Sequence, residues 1–213
     1  MLLSGIKRVL ILAPHPDDAE FGLGGTIQKM NEQDIEIHVA IFSLCEKSTP
    51  AGFEVGVIEQ EMYASMKFLK IPMEQIHVLN FEVRIFPALR QEILESLIVL
   101  KGKLKPDLVF VPSSSDLHQD HQTIHQEGVR AFKHCNLLGY EMPWNNIGFT
   151  SFVYFVLTEA HIEKKIEAIK LYKSQGKRKY SSPEFIRSLA TIRGGQIHHD
   201  FAESFELIRF IQP

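Results

Sequence analysis

The stretch LAPHPDDAEFGLGG, Leu12 to Gly25, runs from apolar residues straight into one histidine and three carboxylates, His15, Asp17, Asp18 and Glu20, followed by Gly22, Gly24 and Gly25. A short apolar strand that ends in charge and gives way to a helical pattern is the first βα turn of an α/β sheet. The rest of the chain repeats the alternation. Strands are predicted near Arg8–Ala13, Glu36–Ser43, Ile76–Phe81, Leu108–Pro112, Phe152–Leu157 and Phe205–Ile211. Helices are predicted near Gly22–Glu32, Val55–Leu69, Pro87–Lys103, Gln122–Lys133, Ile162–Lys173 and Pro183–Thr191. Right-handed crossovers then give a Rossmann-like, open, doubly wound and mostly parallel sheet with helices on both faces, in the order 3-2-1-4-5. In that order the winding reverses between the first and fourth strands, and ligands bind beyond the carboxyl ends of the strands at that reversal. The residues after Ala13 and after Pro112 are the place to look.

Size and composition narrow the function classes. With 213 residues and 45% hydrophobic content the chain can bury one substantial core, so a single domain over 1–213 is expected. A net charge of −3, with no basic run, argues against nucleic acid as a partner. Two cysteines, Cys45 and Cys135, make neither a disulfide framework nor a zinc ribbon, which fits a reducing, cytoplasmic location. The opening MLLSGIKRVLILAP has too short an apolar run and no small-residue cleavage site for a leader, and no segment reaches the length of a membrane span.

Why the charge sits there is a chemical question. A phosphate cradle does not answer it, because Ile27 stands where G-x-G-x-x-G needs its last glycine and the carboxylates would repel a pyrophosphate. Helix capping explains one carboxylate and leaves His15 idle. After the fourth strand comes SSSDLHQDHQ, Ser113 to Gln122, with Asp116, His118, Asp120 and His121 clustered. Two histidines and a carboxylate drawn from the two loops can hold a divalent cation with a position left open, and the cation offsets the crowded charge. A facial-triad iron oxygenase shares that ligand chemistry but generally sits on a double-stranded β-helix, not on alternating strands and helices. His121 and His125 have the spacing of H-E-x-x-H, but Gln122 removes the proteolytic base.

His15-Pro16-Asp17-Asp18-Ala19-Glu20 after a first strand, paired with His118-Gln119-Asp120-His121 after a later one, resembles the LmbE/PIG-L family of zinc-dependent N-deacetylases. KIEAIKLYKSQ, Lys165 to Gln175, and IRGGQIHHDFAESFELIR, Ile192 to Arg209, extend the resemblance over most of the chain. It implies a hydrolase that removes acetyl from an N-acetylated sugar or glycoconjugate of the N-acetylglucosamine type. His15, Asp18 and His121 become ligands of Zn2+, with Fe2+ or another divalent metal as alternatives. Asp17 becomes the general base. His118 stabilises the oxyanion or donates a proton, and Asp120 orients it. A homo-oligomer is compatible with the family. The loop Ser43 to Gly56 lacks the Gly-Glu pair of some relatives, so a particular thiol-precursor substrate does not transfer.

Around this core the residues assign smaller roles. Glu20 and Asp116 brace the two loops, as alternatives to first-turn and turn placement. Arg84, Arg193, His198 and Trp144 are candidate substrate contacts, and Arg84 with Arg193 in one cleft would indicate an anionic or nucleotide-linked sugar. Competing readings are an amidase acting on a thiol conjugate or modified antibiotic, and a non-catalytic sugar-binding module.

Overall fold

The computed structural model describes residues 5–211, so the opening MLLS of the leader reading lies outside the described residues. Strand β1 (Arg8–Ala13) is apolar without alternation because both faces of it are covered. Val9, Ile11 and Ala13 pack into one core, and Leu10 and Leu12 into a second on the opposite face. The other strands are β2 (Glu36–Ile41), β3 (Ile76–Val78), β4 (Leu108–Pro112), β5 (Asn136–Tyr140), β6 (Val153–Leu157) and β7 (Phe201–Arg209). The helices are α1 (Asp18–Asn31), α2 (Val57–Phe68), α3 (Arg90–Leu104), α4 (Gln119–Ala131), α5 (Glu159–Lys170) and α6 (Pro183–Gly195). Helices α1, α2, α5 and α6 cover the first face, and α3 and α4 the second.

The sheet order is β3-β2-β1-β4-β5-β7-β6. Strands β1 to β5 are parallel, whereas β7 runs antiparallel between β5 and β6. The reversal between β1 and β4 is therefore present, with Val9 opposite Leu108 and Ile11 opposite Phe110. The strands expected from the sequence do not include β5 and set Phe152–Leu157 beside β4, where the structure has β5. NLLGY is five residues long and holds Gly139, a weak strand signal. That glycine is needed for packing: a Cβ there would lie 2.8 Å from Glu206 Oε2 and 3.1 Å from Ser113 Cα.

Helices α1 and α4 also begin earlier than their periodicity indicates, at Asp18 and Gln119, which takes parts of both charged motifs into first helical turns. Gly22 then brings α1 against the sheet, since a Cβ there would meet the Tyr140 ring at 2.6 Å. Tyr140 reaches under the helix to donate to the Leu12 carbonyl at 2.9 Å.

At the opposite edge of the sheet, Arg8, Glu36, His38 and His77 form a chain. Arg8 and His38 both bond Glu36, and His38 Nδ1 lies 3.0 Å from His77 Nε2. Burial, then the neighbouring His38 and Lys103, push His77 from its ordinary 6.5 down to about 4. Unfolded His77 takes up a proton that the folded protein refuses, so stability is lost as pH falls from 6.5 toward 4. His77→Gln is expected to flatten the melting temperature against pH across that window. An unaltered slope would assign the acid sensitivity elsewhere.

Candidate active site

Because β1 and β4 are neighbours, the loops that follow them meet at the carboxyl edge. Asp18 Oδ2 is the pivot. It accepts the His15 amide at 2.8 Å, and it lies 3.3 Å from His15 Nδ1 and 3.2 Å from His121 Nε2. The two ring nitrogens are 3.1 Å apart. Tetrahedral bonds of about 2.0–2.1 Å set donors about 3.3–3.4 Å apart, so this triangle has the edge lengths of one face around such an ion. His118 joins at longer range: one ligand atom from each of His15, His118 and His121 falls within 4.8 Å of the others.

Each histidine of the triangle is held from behind by a carboxylate. His15 Nε2 faces Asp120 Oδ2 at 3.2 Å, and His121 Nδ1 faces Asp116 Oδ2 at 2.8 Å. Giving its other ring proton to a carboxylate fixes a histidine's tautomer and frees the inward nitrogen as a lone-pair donor. The expectation that Asp120 orients His118 is corrected here. Only the Asp120 amide reaches His118, donating to Nδ1 at 3.2 Å, while the carboxylate holds His15 and the Arg84 amide. The cause is helix geometry, with His118 as N-cap of α4 and Asp120 in its first turn. Asp120→Asn keeps the acceptor but loses the charge, and is expected to weaken metal binding about 10- to 100-fold in a chelator competition. Unchanged affinity would reduce Asp120 to a loop tether.

The same packing polarises the groups. Burial opposes ionisation of Asp18, yet His121 and His15 hold its carboxyl below the usual carboxylate range. Burial would also lower His121, but Asp18 and Asp116 raise it to about 10, and His15 rises for the same reason through Asp18 and Asp120. Burial, then the adjacent His15 and His121, push His118 down to about 4. Since its Nδ1 accepts, the proton of the neutral ring sits on Nε2.

Asp17 is buried, is the N-cap of α1 without a side-chain cap bond, and accepts from Arg178 Nη1 at 3.3 Å. Burial and Asp18 raise its affinity for a proton, against Arg178. Glu20 is linked to the loop through Tyr172, whose OH lies 2.6 Å from the Pro16 carbonyl and 2.9 Å from Glu20 Oε1. One hydroxyl proton cannot serve both, so Glu20 completes the chain as an acid, consistent with burial lifting it to about 8. Asp116 braces as well as orients, accepting the His118 amide at 2.8 Å.

A cleft of about 200 Å³ opens over this cluster and is lined by Asp17, Asp18, Arg84, His118, Trp144 and Arg178 among others. Of the four candidate substrate contacts, Arg84 and Trp144 are there. Arg193 instead bonds both oxygens of Glu141. His198 is exposed and outside the cleft, because the start of β7 pairs with the edge strand β6, Phe201 opposite Leu157. Residues that the sequence reading missed are Gln175, Arg178 and Tyr180, all from the irregular stretch Ser174 to Ser182. Glu61 on α2 secures that stretch by accepting the Ser174 amide at 2.9 Å. Tyr180 stacks on Trp144 with ring centres 3.9 Å apart, and Phe21 meets both edge-on.

Comparison with known proteins gives a family match and a shared fold. The family described as PIG-L, GlcNAc-PI de-N-acetylase, matches residues 10–132, which hold both charged loops. The diacetylchitobiose deacetylase of Thermococcus kodakarensis is 26% identical over 236 residues, covering 97% of this chain and 84% of that protein. The structure of the N,N'-diacetylchitobiose deacetylase from Pyrococcus horikoshii superimposes with a TM-score of 0.80 at 20% identity, covering 97% of this chain and 85% of that one. GalB, the 4-carboxy-2-hydroxymuconate hydratase from Pseudomonas putida, superimposes with a TM-score of 0.76 at 18% identity over 98% of this chain and 99% of that one. One fold thus carries more than one reaction, and the site has to decide between them.

Proposed function

We propose that this chain, which belongs to the PIG-L family, is a metal-dependent hydrolase that removes acetyl from an N-acetylated sugar or glycoconjugate. The observation that carries the reading is the donor triangle of His15 Nδ1, Asp18 Oδ2 and His121 Nε2, with edges of 3.1–3.3 Å and Asp17 beside it in the same cleft. These three residues would hold the ion, with zinc favoured by two imidazoles, one carboxylate and a tetrahedral spacing. When bound, the cation supplies the Lewis acidity that makes water nucleophilic near neutral pH.

The remaining steps belong to side chains. Asp17 takes the proton from the attacking water, for which its buried, Asp18-facing position raises its basicity. His118 presents Nε2–H to the oxyanion that forms as the acetamide carbon becomes tetrahedral, as a neutral donor. Asp17 then returns the proton to the departing amine. Trp144 and Tyr180 offer an aromatic wall of the kind on which sugar rings pack.

The test is metal analysis of the purified protein, followed by acetate and free-amine release from N-acetylglucosamine and N,N'-diacetylchitobiose. Bound zinc with release of both products is expected. Tight sugar binding without release would make the protein a binding module, and failure to retain any metal after reconstitution would remove the mechanism.

A further inference from the structure

The cleft holds a guanidinium that no carboxylate neutralises. Arg8, Arg90, Arg130, Arg187 and Arg193 each close on a glutamate. Arg84 lines the cleft, and its side chain makes no hydrogen bond or ion pair among the described residues. The carboxylates that line the same cleft, Asp17 and Asp18, are already engaged by Arg178 and by the two histidines.

The backbone of Arg84 is nevertheless fixed. Its amide donates to Asp120 Oδ2 at 2.6 Å, the oxygen that also faces His15 Nε2. Its φ is +74°, a left-handed conformation that is strained for a residue with a Cβ. The backbone of this exposed residue is thus tied to the same carboxylate that faces His15, while its side chain lines the cleft.

Arg178 lines the same cleft. Its guanidinium lies over the Tyr180 ring at 5.6 Å, with Tyr180 stacked on Trp144, and it spends one 3.3 Å contact on Asp17. A guanidinium carries five N–H donors, so most of its capacity remains for a ligand. Two arginines therefore line the cleft, Arg84 and Arg178, whereas Arg193, the expected companion of Arg84, does not.

We propose that the substrate carries, besides its N-acyl group, an anionic substituent, a phosphate or a carboxylate, bound by Arg84 and Arg178. The proposal rests on the deacetylase reading for the reaction and adds the substrate class. Forked, planar donors suit the paired oxygens of either group, and they do so better than lysine's point charge.

The holoenzyme is to be assayed with N-acetylglucosamine, its 1-phosphate, its 6-phosphate and N-acetylmuramic acid, the last carrying a carboxylate. At least one charged sugar is expected to exceed the neutral one in kcat/KM by about tenfold to hundredfold, chiefly through KM, with the advantage shrinking as salt rises. Which sugar leads separates phosphate from carboxylate. Arg84→Ala should abolish most of that advantage and Arg84→Lys restore part of it. Equal kcat/KM for neutral and charged sugars, or a preference that Arg84→Ala leaves intact, overturns the proposal while the deacetylase reading stands. Should no sugar release acetate, that reading fails separately, and calorimetric titration of the 6-phosphate and N-acetylmuramic acid decides the anion site. Binding by the wild type that Arg84→Ala loses upholds it, and no binding by the wild type overturns it.

Discussion

Replacing Asp17 by asparagine is expected to lower kcat by about 10²–10⁴ while leaving the metal content unchanged, because a positioned general base contributes that much to the rate. The substitution is nearly isosteric. Asparagine's carbonyl oxygen can still accept from Arg178, and since Asp17 makes no side-chain cap bond, the start of α1 loses nothing. What disappears is the ability to take a proton from water. Asp17 also stands outside the donor triangle, whose carboxylate oxygen comes from Asp18. Measuring kcat and metal stoichiometry on the same preparation separates the two roles. A variant that keeps its metal and turns over within tenfold of the parent would remove Asp17 as the base.

Replacing His121 by alanine is expected to do the reverse, stripping the metal first and the activity with it. If about 10–16 kcal/mol of apparent zinc affinity is shared among about four ligands, one lost donor costs roughly 3 kcal/mol or more, on the order of a hundredfold to a thousandfold. The damage extends past the ion. His121 is 1% exposed and is the ring that Asp116 holds, so its removal leaves buried carboxylates at Asp116 and Asp18 short of a partner. A lower melting temperature in the metal-free state is therefore part of the expectation. Full metal content in His121→Ala would show that His118, the third histidine of the cluster, ligates instead.

The two charged loops were legible in the sequence because each is local. His15, Asp17 and Asp18 share one turn, and His118 and His121 sit about the start of one helix, so their spacing alone marks residue types that could hold a metal. The reversal between β1 and β4 was legible too, because short apolar runs alternating with longer helical ones admit few right-handed windings. Strand β5 was not, since NLLGY is short, contains glycine and follows a helix end closely. Its absence from the reading also hid why Gly22 is there, for the ring that Gly22 admits belongs to Tyr140 of that strand.

The chain alone determined the type of fold, the two charged loops and the residue types that could hold a cation, because these follow from hydrophobic period and from spacing within single turns. Tertiary structure decided which carboxylate serves which histidine. Asp120 backs His15, 105 positions away, and not its neighbour His118, because the first turn of α4 directs that side chain across the sheet reversal. It also decided which arginine enters the cleft. Arg178 meets Asp17 across 161 positions, while Arg193 is drawn off by Glu141 and His198 by the antiparallel edge of the sheet. Contacts between distant segments depend on how the layers pack, and no local pattern of residues encodes them.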